Sequence, residues 1–544
     1  MWFFAWFAHA ITHGINPFYS SAINAPSGVN LADNTFMPLL GLLASPVTWL
    51  RGPVAAYNLF MRLAFATSAT SMFFVARRFT SRWFPAYLAG LVYGFSPYVV
   101  GEGHAHLFLA FVPLPPIIFL ACFELCREHR RRTRNWGLIL GVTATCQFFI
   151  SPEVLVSTGM CCALGLLFAA CVRPTTARRR VLPFLRGVGW SLTVFAPLVA
   201  YPFYFFLRGP GFITGPPQSV AALAPYRVDL FGPITPTIDE RFAPAHLAAI
   251  GSAFAAGNVG ENGIYLGIPL VCLLIVGVIY CRRELIVLTA AAVALCAFVL
   301  SLGTPLTIDG RPTGIGLPFG LVTRLPYSNG LLSARFSLYV QLSAAFVLAI
   351  AADRLLARPW ARAGRAGRAA VGAVALAALI PLVPAFPYQS FDTAVPTYFT
   401  GGLDRAIPTG SIVLTYPYDY SPYNDGMLWQ AVSGFRFRII GGEATRRGPG
   451  GTGTSDVDPL APTELQNLFR VGMLGSAALV PAPPIVGLGL VRVRTFFRRW
   501  DVDTVVADPV GVDPGLVLHY LTVAIGRPPV AVGGVDVWYH TRNA

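Results

Sequence analysis

The sequence predicts an α-helical polytopic membrane protein of about ten spans, with a C-terminal α/β domain on the extracytoplasmic side. Three observations carry this reading: a low charge content, apolar runs of span length, and arginines gathered on alternate loops. Of 544 residues, 55% are hydrophobic and 12% charged, with a mean hydropathy of +0.59. A soluble domain carries about 25% charged residues, so water is not the solvent for most of this chain.

Residues 1–53 precede the first span and form an outer or interfacial first loop. MWFFAWFAHAITHG has no basic leading region and no small-residue cleavage site, so it does not read as a signal peptide. A start on the outer side with no preceding span leads to the expectation of a missing first helix. The run 36–50 is too short and too proline-interrupted to be that helix. It reads as an interfacial or re-entrant segment, with Trp2, Trp6 and Trp49 at the headgroup level.

Residues 54–387 form the transmembrane domain. Apolar runs fall at about 54–76, 84–100, 107–125, 137–150, 154–172, 187–207, 264–281, 285–302, 336–353 and 370–387. Pro97, Pro113, Pro115 and Pro116 mark broken or tilted helices around a cavity. Loops at 77–82, 127–134, 173–186, 282–283 and 354–368 hold 20 Arg, while the opposite set holds 7. The positive-inside rule places the first set in the cytoplasm, leaving 1–53, 101–106, 151–153, 208–263, 303–335 and the C-terminus outside.

Residues 388–544 change character. GSIVLTYPY (410–418), RFRIIGG (436–442), DTVVADP (503–509) and GVDVWYH (534–540) read as short strands, with helices near 462–478 and 490–500. The segment 446–460 reads as a loop, and its GPGGTG lacks the Lys-Ser/Thr of a phosphate loop.

Composition excludes several functions. The net charge of +15 comes from 28 Arg against 12 acids in 1–387, while 388–544 holds 12 against 13. The excess belongs to the membrane part, so nucleic acid is not an expected partner. Nine Cys lie in or beside apolar segments and give neither a disulfide framework nor a CxxC zinc pair.

Candidate chemistry lies on the outer loops. Glu153, in FISPEVL, is a carboxylate at the membrane margin, facing a polar cavity or completing a helix start beside Pro152. GEGHAH puts Glu102, His104 and His106 in one turn, as a polar or metal environment or as a solvated turn. His9 and His13 share a helix face without a HExxH glutamate, which favours an interfacial helix. Arg62, inside a span, requires a carboxylate on a neighbouring helix or an anionic ligand. Arg335, in SARFSLYVQL, is placed to clamp a lipid phosphate or to snorkel.

These features together resemble the GT-C superfamily of polyprenyl-phosphate-dependent glycosyltransferases, specifically its bacterial multi-span members. The resemblance is carried, in order, by NPF (16–18), APSGVNL (25–31), GPVAAYNL (52–59), YGFSPY (93–98), GHAHL (103–107), QFFISPEVL (147–155), ENGIYLGIPL (261–270), SARF (333–336) and WQAVSGFRFRIIGG (429–442). It covers most of the chain.

The resemblance implies a polyprenyl-phosphate sugar donor, an envelope glycan, lipid or protein acceptor, and inversion assisted by an acidic general base. That base belongs to the first outer loop, where Asp33 is the only acid. Glu153 and Glu261 then shape the acceptor or metal environment, and Arg62 and Arg335 hold the donor phosphate. No cofactor is specified by the sequence, and a divalent metal ion is the one candidate. The implied location is the plasma membrane, among its lipids, with the C-terminal domain contacting acceptor. Two rivals stand beside this reading: a flippase or transporter of lipid-linked material, and a non-catalytic scaffold of the same fold. Long outer loops and a soluble outer domain favour the enzyme.

Overall fold

The computed structural model describes residues 1–127, 132–215, 218, 223–254, 258–324, 330–358, 364–388, 390, 393–418, 425–454 and 462–543. Arg130, Arg131 and Arg362 of the arginine-rich loops, and 455–460 of the Gly-rich segment, lie outside the described residues. The chain divides into two compact units. One joins Met1–Tyr57, Pro202–Pro217 and Phe391–Ala544; the other joins Asn58–Tyr201 and Gln218–Ser390. The stretch 1–53, expected as a loop of its own, thus belongs to the same unit as the C-terminal α/β region.

The first unit is built on one sheet. Strands β1 (Ile412–Tyr416), β2 (Arg438–Ile439), β3 (Val502–Ala507), β4 (Val530–Val532) and β5 (Val535–Trp538) lie in the order β4-β5-β3-β1-β2. β1 runs parallel to β2 and β3, while β5 is antiparallel to β3 and β4. Every residue of β1 and β3 is buried, as befits central strands covered on both faces. Successive side chains take opposite faces. Val413, Val506 and Val537 pack with Trp2, Trp6 and Phe437, whereas Leu414, Val505 and Ala507 pack with Phe469, Val493 and Tyr520.

Two expectations change in this unit, and a third is refined. Trp2 and Trp6 are not headgroup anchors: they are 6% and 4% exposed and stack at 5.6 Å within the core. Their indole N–H groups donate to Gln430 Oε1 (2.8 Å) and Pro17 O (3.0 Å), which lets a polar ring edge sit inside. The run 36–50 is helical, and Pro38–Arg77 is interrupted at Gly52 (φ 83°, ψ 167°), which separates that run from the helix that follows. Glycine adopts that φ without a Cβ penalty, and Pro53 restarts the helix where its missing N–H costs nothing. Within 446–460, Arg446–Arg447 pairs with Gly453–Thr454 as a small hairpin instead of a loop.

The second unit is helical. Among the described residues, five helices of the chain are long and apolar enough to cross a membrane: Pro38–Arg77, Leu107–Leu125, Pro152–Val172, Pro174–Arg208 and Ser333–Leu356. The run 84–100 divides into Trp83–Gly94 and Pro97–Glu102, since Ser96 caps the second piece through Val99 N (3.3 Å) with Pro97 in its first turn. Ser337–Leu356 is buried on nearly every side, the mark of a central helix. It packs against Trp83–Gly94, Ile268–Tyr280 and Leu285–Ser301. Two of its polar side chains are held by hydrogen bonds to neighbouring elements. Tyr339 Oη meets Ser157 (2.7 Å) and Thr158 (2.9 Å), and Gln341 Nε2 donates to Tyr265 O (2.9 Å) and Gly263 O (3.2 Å).

Candidate functional site

The helical unit gathers five ionisable side chains at the loops between its helices. Glu102 ends the Pro97–Glu102 helix. Glu261 sits in a short turn whose start is fixed by Asn258 Oδ1, which accepts from Glu261 N (3.0 Å). Two glycines let these pieces touch. A Cβ on Gly101 would come within 2.5 Å of Gly260 O, and one on Gly263 within 2.4 Å of Tyr98 Cα. Glycine at both places is therefore a steric requirement for bringing Glu261 to Glu102.

Glu153 lies in the first turn of Pro152–Val172, capped by Ser151, and its Oε1 accepts from Leu332 N (3.2 Å). Arg335 comes from the Ser333–Phe336 turn. Its Nε and Nη2 donate to Glu261, the latter at 2.7 Å, and its Nη1 donates to Glu153. Its guanidinium also lies 5.8 Å from the centre of the Phe108 ring. The expected phosphate clamp is therefore occupied by two carboxylates, a bidentate use of the guanidinium fork that satisfies buried charge from within.

His106 completes the group, with Nδ1 2.7 Å from Glu102 Oε2. GEGHAH is thus no solvated turn: Glu102 is fully buried, and its i,i+4 partner points at it. His104 turns elsewhere, with Nε2 3.0 Å from Asp239 Oδ1 and its ring stacked on Tyr388 at 4.7 Å. Arg62 joins neither group. It is exposed, with no ion pair or hydrogen bond among the described residues, so the carboxylate expected on a neighbouring helix is not there.

The charges shift one another. Burial, then the charge of Glu261, pushes the Glu102 carboxyl up to about 8. Burial would raise Glu261 too, but Arg335, His106 and Glu102 together outweigh it and hold the carboxyl below its usual range. For His106, desolvation is outweighed by Glu102, and the imidazole is raised. Near neutral pH, Glu102 therefore keeps a proton on a group that accepts from few donors: its Oε1 is buried without a hydrogen bond from any N–H or hydroxyl. Ligand atoms of Glu102, His106 and Glu261 all lie within 4.8 Å of one another. Two carboxylates and an imidazole suit zinc or manganese, and a cation would take the place of the Glu102 proton. The residues therefore fit a divalent metal.

Asp33 belongs to the other unit. It closes the short turn Leu31–Asp33, capped by Asn30, whose Oδ1 accepts from Ala32 N (3.0 Å). Its Oδ2 is buried with no hydrogen-bond partner, and burial raises the carboxyl to about 7. A desolvated, unpaired acid poised near neutrality is what a general base requires. In the same unit the His9 and His13 rings lie 4.0 Å apart, tilted by 31°, and no acid joins them to make a metal group among the described residues.

One participant was missed from sequence. Tyr98, in YGFSPY, is fully buried with an unpartnered hydroxyl and lies in the field of Glu102, Arg335, Glu261 and Glu153. The available signal was a tyrosine four residues before Glu102, on the same helical face.

Comparison with known proteins places this architecture. A family described as a domain of unknown function, DUF6311, matches residues 3–325, more than half of the chain. The chain belongs to the DUF6311 family. No curated protein matches this DUF6311 chain. The cryo-EM structure of arabinofuranosyltransferase AftD from Mycobacteria is similar over 96% of the chain, at 15% identity and a TM-score of 0.51. The chain spans 36% of AftD. The oligosaccharyltransferase of Archaeoglobus fulgidus is similar over 97% of this chain and 67% of its own, at 12% identity and a TM-score of 0.46. ArnT from Cupriavidus metallidurans, solved with undecaprenyl phosphate, is similar over 98% and 92%, at 11% identity and a TM-score of 0.45. The fold of this DUF6311 protein is thus like that of AftD, an arabinofuranosyltransferase.

Proposed function

We propose that this DUF6311 protein is an inverting GT-C-type glycosyltransferase of the plasma membrane. It moves a sugar from a polyprenyl-phosphate donor to an extracytoplasmic glycan, lipid or protein acceptor. The reading includes about ten spans, with the loops of the carboxylate cluster and the region 388–544 on the outer side, where that region contacts acceptor. The observation that carries it is the buried Glu102–His106–Glu153–Glu261–Arg335 group in a chain whose fold is like that of AftD.

The chemistry asks little of the protein. An acceptor hydroxyl oxygen bonds to the anomeric carbon, the bond from that carbon to the phosphate oxygen breaks, and the hydroxyl proton passes to a carboxylate. The polyprenyl phosphate leaves with its electron pair. Asp33 is the proposed base, unpaired and raised to about 7 by burial. Arg335 acts as the internal counter-ion that fixes Glu153 and Glu261, while Arg62 is left free to meet an anion at the surface. A divalent cation held by Glu102, His106 and Glu261 would stabilise charge on the leaving phosphate.

The test uses membranes containing the full chain and radiolabelled polyprenyl-phosphate sugars, starting with a pentofuranose because of the AftD-like fold. Transfer to an envelope acceptor, abolished by Glu261→Gln, supports the reading. Lack of transfer from any donor, together with lipid flipping in proteoliposomes, overturns it in favour of a flippase.

A further inference from the structure

A groove of about 880 Å³ lies in the helical unit among Pro38–Arg77, Leu114–Leu125 and Thr133–Ile150. That volume falls within the range of about 300–1,000 Å³ typical of ligand sites. Ala66, Phe74, Ile117, Leu120 and Ile139 line it. Its hydroxyls are spent on backbone: Thr67 donates to Leu63 O, Thr70 to Ala66 O, and Ser71 to Pro113 O. Asn135 and Trp136 also line it, and the rest of the walls are apolar.

The charged end is different. Arg78 and Arg132 both line the groove. Arg78 shares Glu124 with Arg127, at 3.0 and 3.5 Å, so two arginines face one carboxylate. Arg132 has no ion pair among the described residues. It also stands at the start of Thr133–Ile150, a helix with no acid in its first turn and no side-chain cap. Positive charge at one mouth calls for an anion, while the walls call for hydrocarbon.

We infer that this groove binds an anionic phospholipid, with one acyl chain along the walls and the headgroup phosphate between Arg78 and Arg132. The inference rests on the membrane reading, not on the transfer reaction. The site is distinct from the carboxylate cluster. Arg132 precedes, and Glu153 follows, the 18-residue Thr133–Ile150 helix, which spans about 27 Å at 1.5 Å per residue. Both Arg78 and Arg132 lie on the arginine-rich loops, so the lipid is one of the cytoplasmic leaflet.

The full-length protein in nanodiscs of mixed phosphatidylglycerol and phosphatidylcholine, examined by native mass spectrometry, tests this. The wild type should retain phosphatidylglycerol over phosphatidylcholine. Each of Arg78→Gln and Arg132→Gln should lower that retention about fivefold, and the pair about 25-fold. Thr70→Phe, which fills the groove and leaves both arginines, should lower retention of either lipid. Equal retention of the two lipids by the wild type overturns the proposal, as does unchanged retention in Thr70→Phe. Displacement of phosphatidylglycerol by equimolar undecaprenyl phosphate overturns the choice of a phospholipid. A double variant whose thermal midpoint matches wild type, yet still selects phosphatidylglycerol, overturns the role of the arginines.

Discussion

The two units handle buried carboxylates in opposite ways. In the helical unit Glu153 and Glu261 are tied to one guanidinium, and Glu102 to an imidazole. In the α/β unit Asp33 keeps a buried oxygen with no partner at all. A paired network holds geometry, because each member fixes the next and loss of one leaves the others uncompensated. A lone acid holds reactivity, because desolvation brings its proton affinity near working pH and nothing competes for it. On the proposed reading, Arg335 and its partners do scaffold work and Asp33 transfers the proton.

The sharpest test separates those roles by activity. Asp33→Asn should lower the transfer rate by about 10²–10⁴, the usual contribution of a positioned base, with no loss of thermal stability. The pH dependence has two signs. As a base Asp33 must be unprotonated, so wild-type transfer should rise as pH passes about 7. For stability the raised carboxyl works the other way. Its contribution is complete below the ordinary 3.8 and is lost as pH rises through about 7. The melting midpoint should therefore fall between pH 5 and 8 in the wild type and fall less in Asp33→Asn. A transfer rate indifferent to pH across 6 to 8 would remove Asp33 from the mechanism.

Arg335→Met tests the paired network. Removing the cation leaves Glu153 and Glu261 facing each other beside Glu102, which should cost about 3–5 kcal/mol of unfolding free energy. Arg335→Lys should recover only part, because an ammonium on a flexible stem does not reproduce the fork that spans two carboxylates. Detergent-solubilised protein unfolded by heat or denaturant reads this directly. A near-neutral Arg335→Met would mean that the carboxylates ionise independently and the network is not a unit.

A smaller effect is expected in the core of the α/β unit. Trp2→Phe keeps the apolar bulk but leaves Gln430 Oε1 without its donor, at a cost of about 1–3 kcal/mol for a buried unsatisfied group. The same experiment bears on what could be read from sequence. The four strands between 410 and 540 were visible as β-branched runs between Gly, Pro and Asp, because strand periodicity is local. The role of Trp2 was not visible, since its partner is 428 residues away and an aromatic helix looks alike whether it meets lipid or protein. The acids of the cluster were legible singly, each being out of place beside an apolar run. Their grouping was not, because it depends on Gly101 and Gly263 allowing two backbones to touch. Arg335 illustrates the limit best: its residue type and position suggested an anion, and only the fold shows that the anions are side chains.

Arg62 gives the mildest expectation and completes the contrast. An arginine inside an apolar run was expected to face a carboxylate or an anionic ligand, and it is exposed with no ion pair among the described residues. Exposed substitutions away from special features usually change stability within about ±0.5 kcal/mol. Arg62→Gln should therefore leave the melting midpoint unchanged, unlike Arg335→Met, although both remove a guanidinium from the helical unit. If it instead raises the apparent KM for the polyprenyl-phosphate donor at constant kcat, Arg62 contributes uniform donor binding. Unchanged KM and kcat would confine anion recognition to other residues and leave Arg62 a surface charge.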